Sequence, residues 1–155
     1  MRDFSVQKLL LVAEETVEYV PSQDVTSPED IRDICIDMNL HRSPEEIVSM
    51  FTFNAKGKVL GYHEISHGTI SCSMVNPRDI FKRAMLENAS SIALVHNHPS
   101  DCAEPSKEDI LVTKRVAEAG RLMEIDLLDH LIITPSGEFL SLRKERPEVL
   151  QREVM

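Results

Sequence analysis

The 155-residue sequence is poor in cysteine, and Cys35, Cys72 and Cys102 stand far apart. With no CxxC clamp and no even-numbered cysteine framework, a disulfide-stapled secreted scaffold is not expected, and a reducing cytoplasm is. Long apolar runs are missing too. A stretch such as Leu9–Ala13 is far too short to span a bilayer, so no membrane role is expected. The first residues show no basic flank followed by an apolar stretch and a small-residue cleavage site, the pattern of a secretory signal. Positive charge is in deficit, with 17 Lys and Arg against 26 Asp and Glu and a formal net charge of −9. Sequence-independent nucleic-acid binding rests on basic side chains that neutralise phosphates. Net charge therefore speaks against nucleic acid as the main partner. The local clusters Arg78, Lys82, Arg83 and Arg143, Lys144, Arg146 read as solvated faces.

What is present suits one compact domain: 42% hydrophobic and 28% charged residues, without repeats or low-complexity segments. Residues 5–20 fit either an extended segment or a helix. Ser27-Pro28-Glu29-Asp30 is a helix start, with Ile31, Ile34, Cys35 and Met38 following at helical spacing. Ser43-Pro44-Glu45-Glu46 repeats that start signal. Residues 47–53 and 58–65 predict two strands around an Asn54–Gly57 hairpin loop, and 69–74 a third. Asn76-Pro77 opens a helix to about Asn88, with Ile80, Phe81, Ala84 and Met85 as its apolar face. Residues 91–95 predict a short buried strand, and Lys107–Ala119 a helix closed by Gly120. Residues 125–134 and 138–142 predict a last strand pair, and the charged tail from Arg143 frays or forms a short helix. Interleaved strands and helices indicate an α/β domain with a mixed sheet flanked by helices. The expected layout is an extension over 1–25, the domain over 26–142 and the tail over 143–155.

The chemistry concentrates in His96-Asn97-His98-Pro99-Ser100-Asp101-Cys102-Ala103-Glu104-Pro105-Ser106-Lys107-Glu108-Asp109. In extended chain, residues i and i+2 share a face about 6.6 Å apart. Two imidazoles at that spacing can converge on one zinc ion, and Asp109 in the first turn of the next helix can supply a third ligand. Three protein ligands leave one position open for water, as catalytic zinc requires. The competing explanation is structural: Ser106-x-x-Asp109 also spells a helix-capping box. A second metal-like motif, His63-Glu64-Ile65-Ser66-His67, matches HExxH, which needs a helix. Gly61, Gly68 and the β-branched neighbours favour a strand, where His63 and His67 would lie about 13 Å apart. The match is therefore read as accidental. Glu64 stays open at this stage, either a solvent-facing strand residue or a carboxylate facing the metal from an adjacent strand.

Glu64, His96-x-His98 and Ser106-x-x-Asp109 together resemble the signature of the JAMM (MPN+) metalloproteases. Within that class, His96-Asn97-His98-Pro99-Ser100, Glu104-Pro105-Ser106, Gly68-Thr69-Ile70, Pro77-Arg78 and Leu128-Asp129-His130 are similar to the RadC-like branch over roughly 26–142. The resemblance implies a JAB/MPN, cytidine-deaminase-like architecture. It implies Zn2+ held by His96, His98 and Asp109, Glu64 as general acid/base and Ser106 as an oxyanion donor. It implies hydrolysis of an amide or isopeptide bond in a peptide or protein substrate. Asp129-His130 is expected to support the site rather than ligate. The family usually has Gly where this chain has Asp101, so the loop is expected to differ in shape there; Cys102 in that loop is expected to be an inert small residue. The resemblance implies an N-terminal helix-hairpin-helix DNA-binding module in full-length RadC proteins; no room for it is expected within this sequence, which weakens the expectation of a DNA role. Two other expectations compete: a DNA-repair or mobile-element accessory acting on nucleic acid, and a non-catalytic MPN interaction module. A nucleobase deaminase is excluded, since that chemistry needs His-x-Glu with Pro-Cys-x-x-Cys. Oligomeric state is not legible.

Overall fold

A computed structural model of the chain describes residues 25–68 and 75–151. In chain order the elements are α1 (Pro28–Asp37), a 3-10 turn (Leu40–Arg42), β1 (Ile47–Phe53), β2 (Val59–His67), α2 (Pro77–Leu86), β3 (Ser91–Asn97), α3 (Lys107–Met123), β4 (Asp126–Ile133), β5 (Phe139–Ser141), α4 (Leu142–Glu145) and a final 3-10 turn (Pro147–Val149). Five strands form one mixed sheet in the order β2-β1-β3-β4-β5. Among the described residues β3 and β4 are the one parallel pair, with α3 as the crossover between them.

Helices cover both faces. On one, Val48, Met50, Ile92 and Leu94 pack against Ile80, Phe81 and Ala84 of α2 and Val112, Val116 and Ala117 of α3. On the other, Phe51, Phe53, Ala93, Val95, Leu131 and Ile133 pack against Ile31, Ile34 and Cys35 of α1. The central strands β1 and β3 are thus buried on both sides, which is why their sequences run apolar instead of alternating. Burial also pushes the Cys35 thiol up to about 12, leaving it an inert core group.

The α/β mixed sheet flanked by helices is as the sequence predicts. Ser27 caps α1 through a capping box with Asp30. Three local expectations are corrected, and two lie outside the described residues. Ser43-Pro44-Glu45-Glu46 starts no helix; a bend at Pro44 and Glu45 is followed by Glu46, and the strand claims the chain at Ile47. Met85 lies 49% exposed, off the buried face of α2. Gly120 does not close α3, which continues to Met123 and ends on Glu124 in the left-handed region. The expected strand over 69–74 lies outside the described residues, as does the segment 5–20. The charged stretch after β5 forms α4 and the last 3-10 turn, with Leu142 and Val149 buried.

Gly120 serves close packing instead of a turn. A Cβ there would lie 2.5 Å from the Ile125 carbonyl oxygen and 3.3 Å from Phe81 Cζ. The first contact is backbone and cannot yield cheaply. Gly120→Ala should destabilise the fold by about 1–3 kcal/mol despite alanine's better helix propensity. Urea denaturation checks this; a gain in stability would mean that α3 and β4 separate easily.

Candidate metal centre

The site lies at the carboxyl end of β3, where ligands collect in open α/β sheets. Parity puts His96 on the face shared by Leu94, α2 and α3, and Asn97 on the other. Beyond Asn97 the chain stays with β4, as His98 N donates to Ile133 O. Pro99, lacking an N–H, ends the ladder. Asp101 then turns the loop with φ of 60°, the left-handed geometry that glycine adopts most readily. Its carboxylate oxygen accepts from Ser136 N at 3.0 Å, which anchors the turn and holds its carboxyl below the usual carboxylate range. The loop thus adopts a left-handed turn at an aspartate.

From there the loop delivers Ser106 to the N-cap of α3 and Asp109 to its third residue. Asp109 is fully buried. One carboxylate oxygen lies 3.0 Å from His96 Nδ1, and the other accepts from Ser106 N and Ser106 Oγ and lies 3.5 Å from His98 Nε2. One ligand atom from each of His96, His98 and Asp109 lies within 4.8 Å of the other two. Burial opposes ionisation of Asp109, but the bonds to His96 and His98 outweigh it and hold its carboxyl well below the carboxylate range. The same Asp109 bond raises His98, against its partial burial.

The donor set fits a divalent ion. His98 Nδ1 donates to the Cys102 carbonyl at 2.8 Å, so an ion that displaces the Nε2 proton facing Asp109 would meet an inward-directed lone pair. His96 Nε2 is buried with no hydrogen-bond partner, an expense that a bound cation would relieve. Two imidazoles and one carboxylate are the ligands of open zinc sites.

The other predicted residues fall as follows. Ser106 Oγ both accepts from Asp109 N and donates to Asp109, so the capping box exists alongside the metal cluster. Glu64 is not brought to the cluster. β1 lies between β2 and β3, so Glu64 sits on the outer strand, opposite Ser49 and in line with Val95, on the face away from His96. Its carboxylate pairs with His67 Nε2 at 2.6 Å. His63 lies 3.0 Å from Glu87, on a strand as expected, so HExxH forms no joint site. The carboxylate that does approach is Glu46, 3.9 Å from His96 Nε2 and 31% exposed, hence open to solvent on one side. No spacing signal pointed to it, because Ser-Pro-Glu-Glu reads as a helix start.

The RadC-like JAB domain family matches residues 25–147. The chain belongs to this family. A UPF0758 protein of Methanosarcina mazei is 36% identical over 131 residues, covering 84% of this chain and 56% of that protein. Similar proteins of Staphylococcus carnosus and Caldanaerobacter subterraneus subsp. tengcongensis are each 43% identical, over 74% and 78% of this chain and 52% and 51% of their own lengths. This RadC-like chain thus spans about half the length of the curated relatives it matches. Their names state no activity, and JAB membership is compatible with a hydrolase. No helix among the described residues is long and apolar enough to cross a membrane.

Beneath the cluster, His130 of this RadC-like domain is fully buried. Thr113 Oγ1 donates to Asp109 O, so it accepts from His130 Nδ1 at 2.6 Å. Burial above all, with smaller contributions from neighbouring His96 and His98 and an opposing one from Asp109, pushes His130 down to about 3. The unfolded chain therefore takes up a proton near pH 6.5 that the folded chain refuses until about pH 3. A depressed histidine makes stability fall as pH drops through that window, by several kcal/mol at its lower end. Denaturation midpoints between pH 7 and 4 should show this slope, and His130→Asn should flatten it. An unchanged slope would mean that His130 is protonated in the folded state.

Proposed function

We propose that this chain is a zinc-dependent hydrolase of the JAMM type, cleaving an amide or isopeptide bond in a peptide or protein substrate. His96, His98 and Asp109 hold the ion, and Glu46, in place of Glu64, carries the proton. The observation that supports this reading is the convergence of three buried ligand side chains with one partly exposed carboxylate 3.9 Å from His96 Nε2. When bound, the ion supplies Lewis acidity, which acidifies water and polarises a carbonyl oxygen. Glu46 then accepts the proton of the attacking water and returns it to the departing amine. Ser106 Oγ, turned from Asp109 towards the substrate, stabilises the developing oxyanion. Asp109 and the Cys102 carbonyl keep the two imidazoles in the tautomers that offer a lone pair. The free thiols of Cys35 and Cys102 suit a reducing compartment such as the cytoplasm.

Metal analysis of the purified chain should find about one zinc per chain. Fluorescein-labelled casein and a lysine isopeptide should be cleaved by the zinc-loaded protein and spared after chelation. A folded protein that takes up no divalent metal at stoichiometry would defeat the reading.

A further inference from the structure

We infer that Asn97 is a positioning residue for Glu46, its side-chain amide standing in for the strand that should have held it. The inference rests on the role proposed for Glu46 and names what fixes that carboxylate in place.

The β1–β3 ladder closes at Val48 and His96, whereas β3 keeps pairing with β4 as far as Asn97 and Ile133. Continued pairing with β1 would have set Asn97 opposite Ile47 and fastened the backbone around Glu46. Instead the side chain of Asn97, 3% exposed, crosses the gap. Its Oδ1 accepts from Ile47 N at 2.7 Å, and its Nδ2 donates to Glu45 O at 2.9 Å and Ser43 O at 3.2 Å. The peptide groups on both sides of Glu46 are thereby held by one amide. The Glu46 carbonyl itself accepts from Gly68 N at 2.7 Å, at the end of β2. Glu46 follows a proline-containing bend and precedes the strand, so few other contacts can orient its backbone.

The residue between the two histidine ligands is thus the clamp for the acid/base. Alternation aims His96 at the metal cluster and Asn97 at the opposite side, so one dipeptide sets both a ligand and the loop bearing the proton carrier. The chemistry demands an amide of this length. Aspartate keeps the acceptor for Ile47 N but sets an anionic oxygen against the Ser43 and Glu45 carbonyls, and alanine leaves all three groups without this partner in a partly buried place.

The test compares wild type, Asn97→Ala and Asn97→Asp as full chains. Amide exchange at Ile47, read by NMR, should quicken about tenfold or more in both variants. Crystal structures should show the Glu46 carboxylate withdrawn from His96. Zinc affinity, from chelator competition, should change by no more than about threefold, since no ligand is touched. On labelled casein kcat should fall about 10²-fold with KM nearly constant, and Asn97→Ala should add little to Glu46→Gln. If Asn97→Ala does not fold, Asn97→Asp carries the same readouts. Glu46 still seated beside His96, with Ile47 exchange unchanged, overturns the inference. A wild-type protein that binds no zinc sinks the hydrolase reading instead, while Ile47 exchange and the place of Glu46 still decide this one.

Discussion

Glu46→Gln should lower kcat by about 10²–10⁴-fold while zinc content stays at the wild-type level, and Glu64→Gln should leave both unchanged. Glutamine keeps the shape and removes the ability to take a proton. Glu46 stands 3.9 Å from His96 Nε2 with 31% of its side chain open to solvent, which is where a substrate and a water can reach it. Glu64 occupies the edge strand, on the other face of the sheet, and already bonds His67. Steady-state kinetics on one substrate, with zinc measured on the same preparations, separates the two. The opposite ranking, with Glu64→Gln inactive and Glu46→Gln normal, would require the edge of the sheet to rearrange on binding.

Asp109→Ala should remove zinc and soften the fold together. The substitution deletes a ligand, deletes the acceptor for Ser106 N and Oγ, and leaves His96 Nδ1 and His98 Nε2 without their carboxylate in a buried place. Losing the capping box alone costs about 1 kcal/mol. Zinc affinity should drop by about 10²-fold or more, a ligand mattering at least as much as its supporting residues do. Zinc should therefore raise the Tm of wild type and leave that of the variant unmoved, because only a binding-competent native state is stabilised by mass action. Thermal denaturation with and without zinc reads both effects. Tight zinc binding by Asp109→Ala would mean that the two histidines and some other group make the site.

Much of this was legible because it is local. Ser27-Pro28 and Asn76-Pro77 start α1 and α2, since caps and fixed proline dihedrals act within one turn. The Asn54–Gly57 loop joins β1 to β2, with Gly57 in the left-handed region at φ of 77°. His96-x-His98 lies at a strand end, and Ser106-x-x-Asp109 opens a helix, so the cluster needs only one strand, one loop and one turn. Asp101 shows the limit of residue-type reasoning: a non-glycine residue takes the left-handed turn, with its side chain tied to Ser136 on a distant loop.

Glu46 and Glu64 mark the other boundary. Strand β2 follows β1 in sequence, and nothing local says which of the two lies beside β3. The order β2-β1-β3 puts Glu64 one strand too far and, through the pairing of Ser49 with Glu64, on the wrong face. Gly120 is similar, reading as a helix stop while serving a backbone contact with Ile125. By itself the sequence determined most of the elements, the triad that could hold a metal ion and the family, since short-range spacing and capping suffice for them. Only the tertiary structure decided which carboxylate faces that triad, because strand order and side-chain parity arise from pairings between segments far apart in the chain.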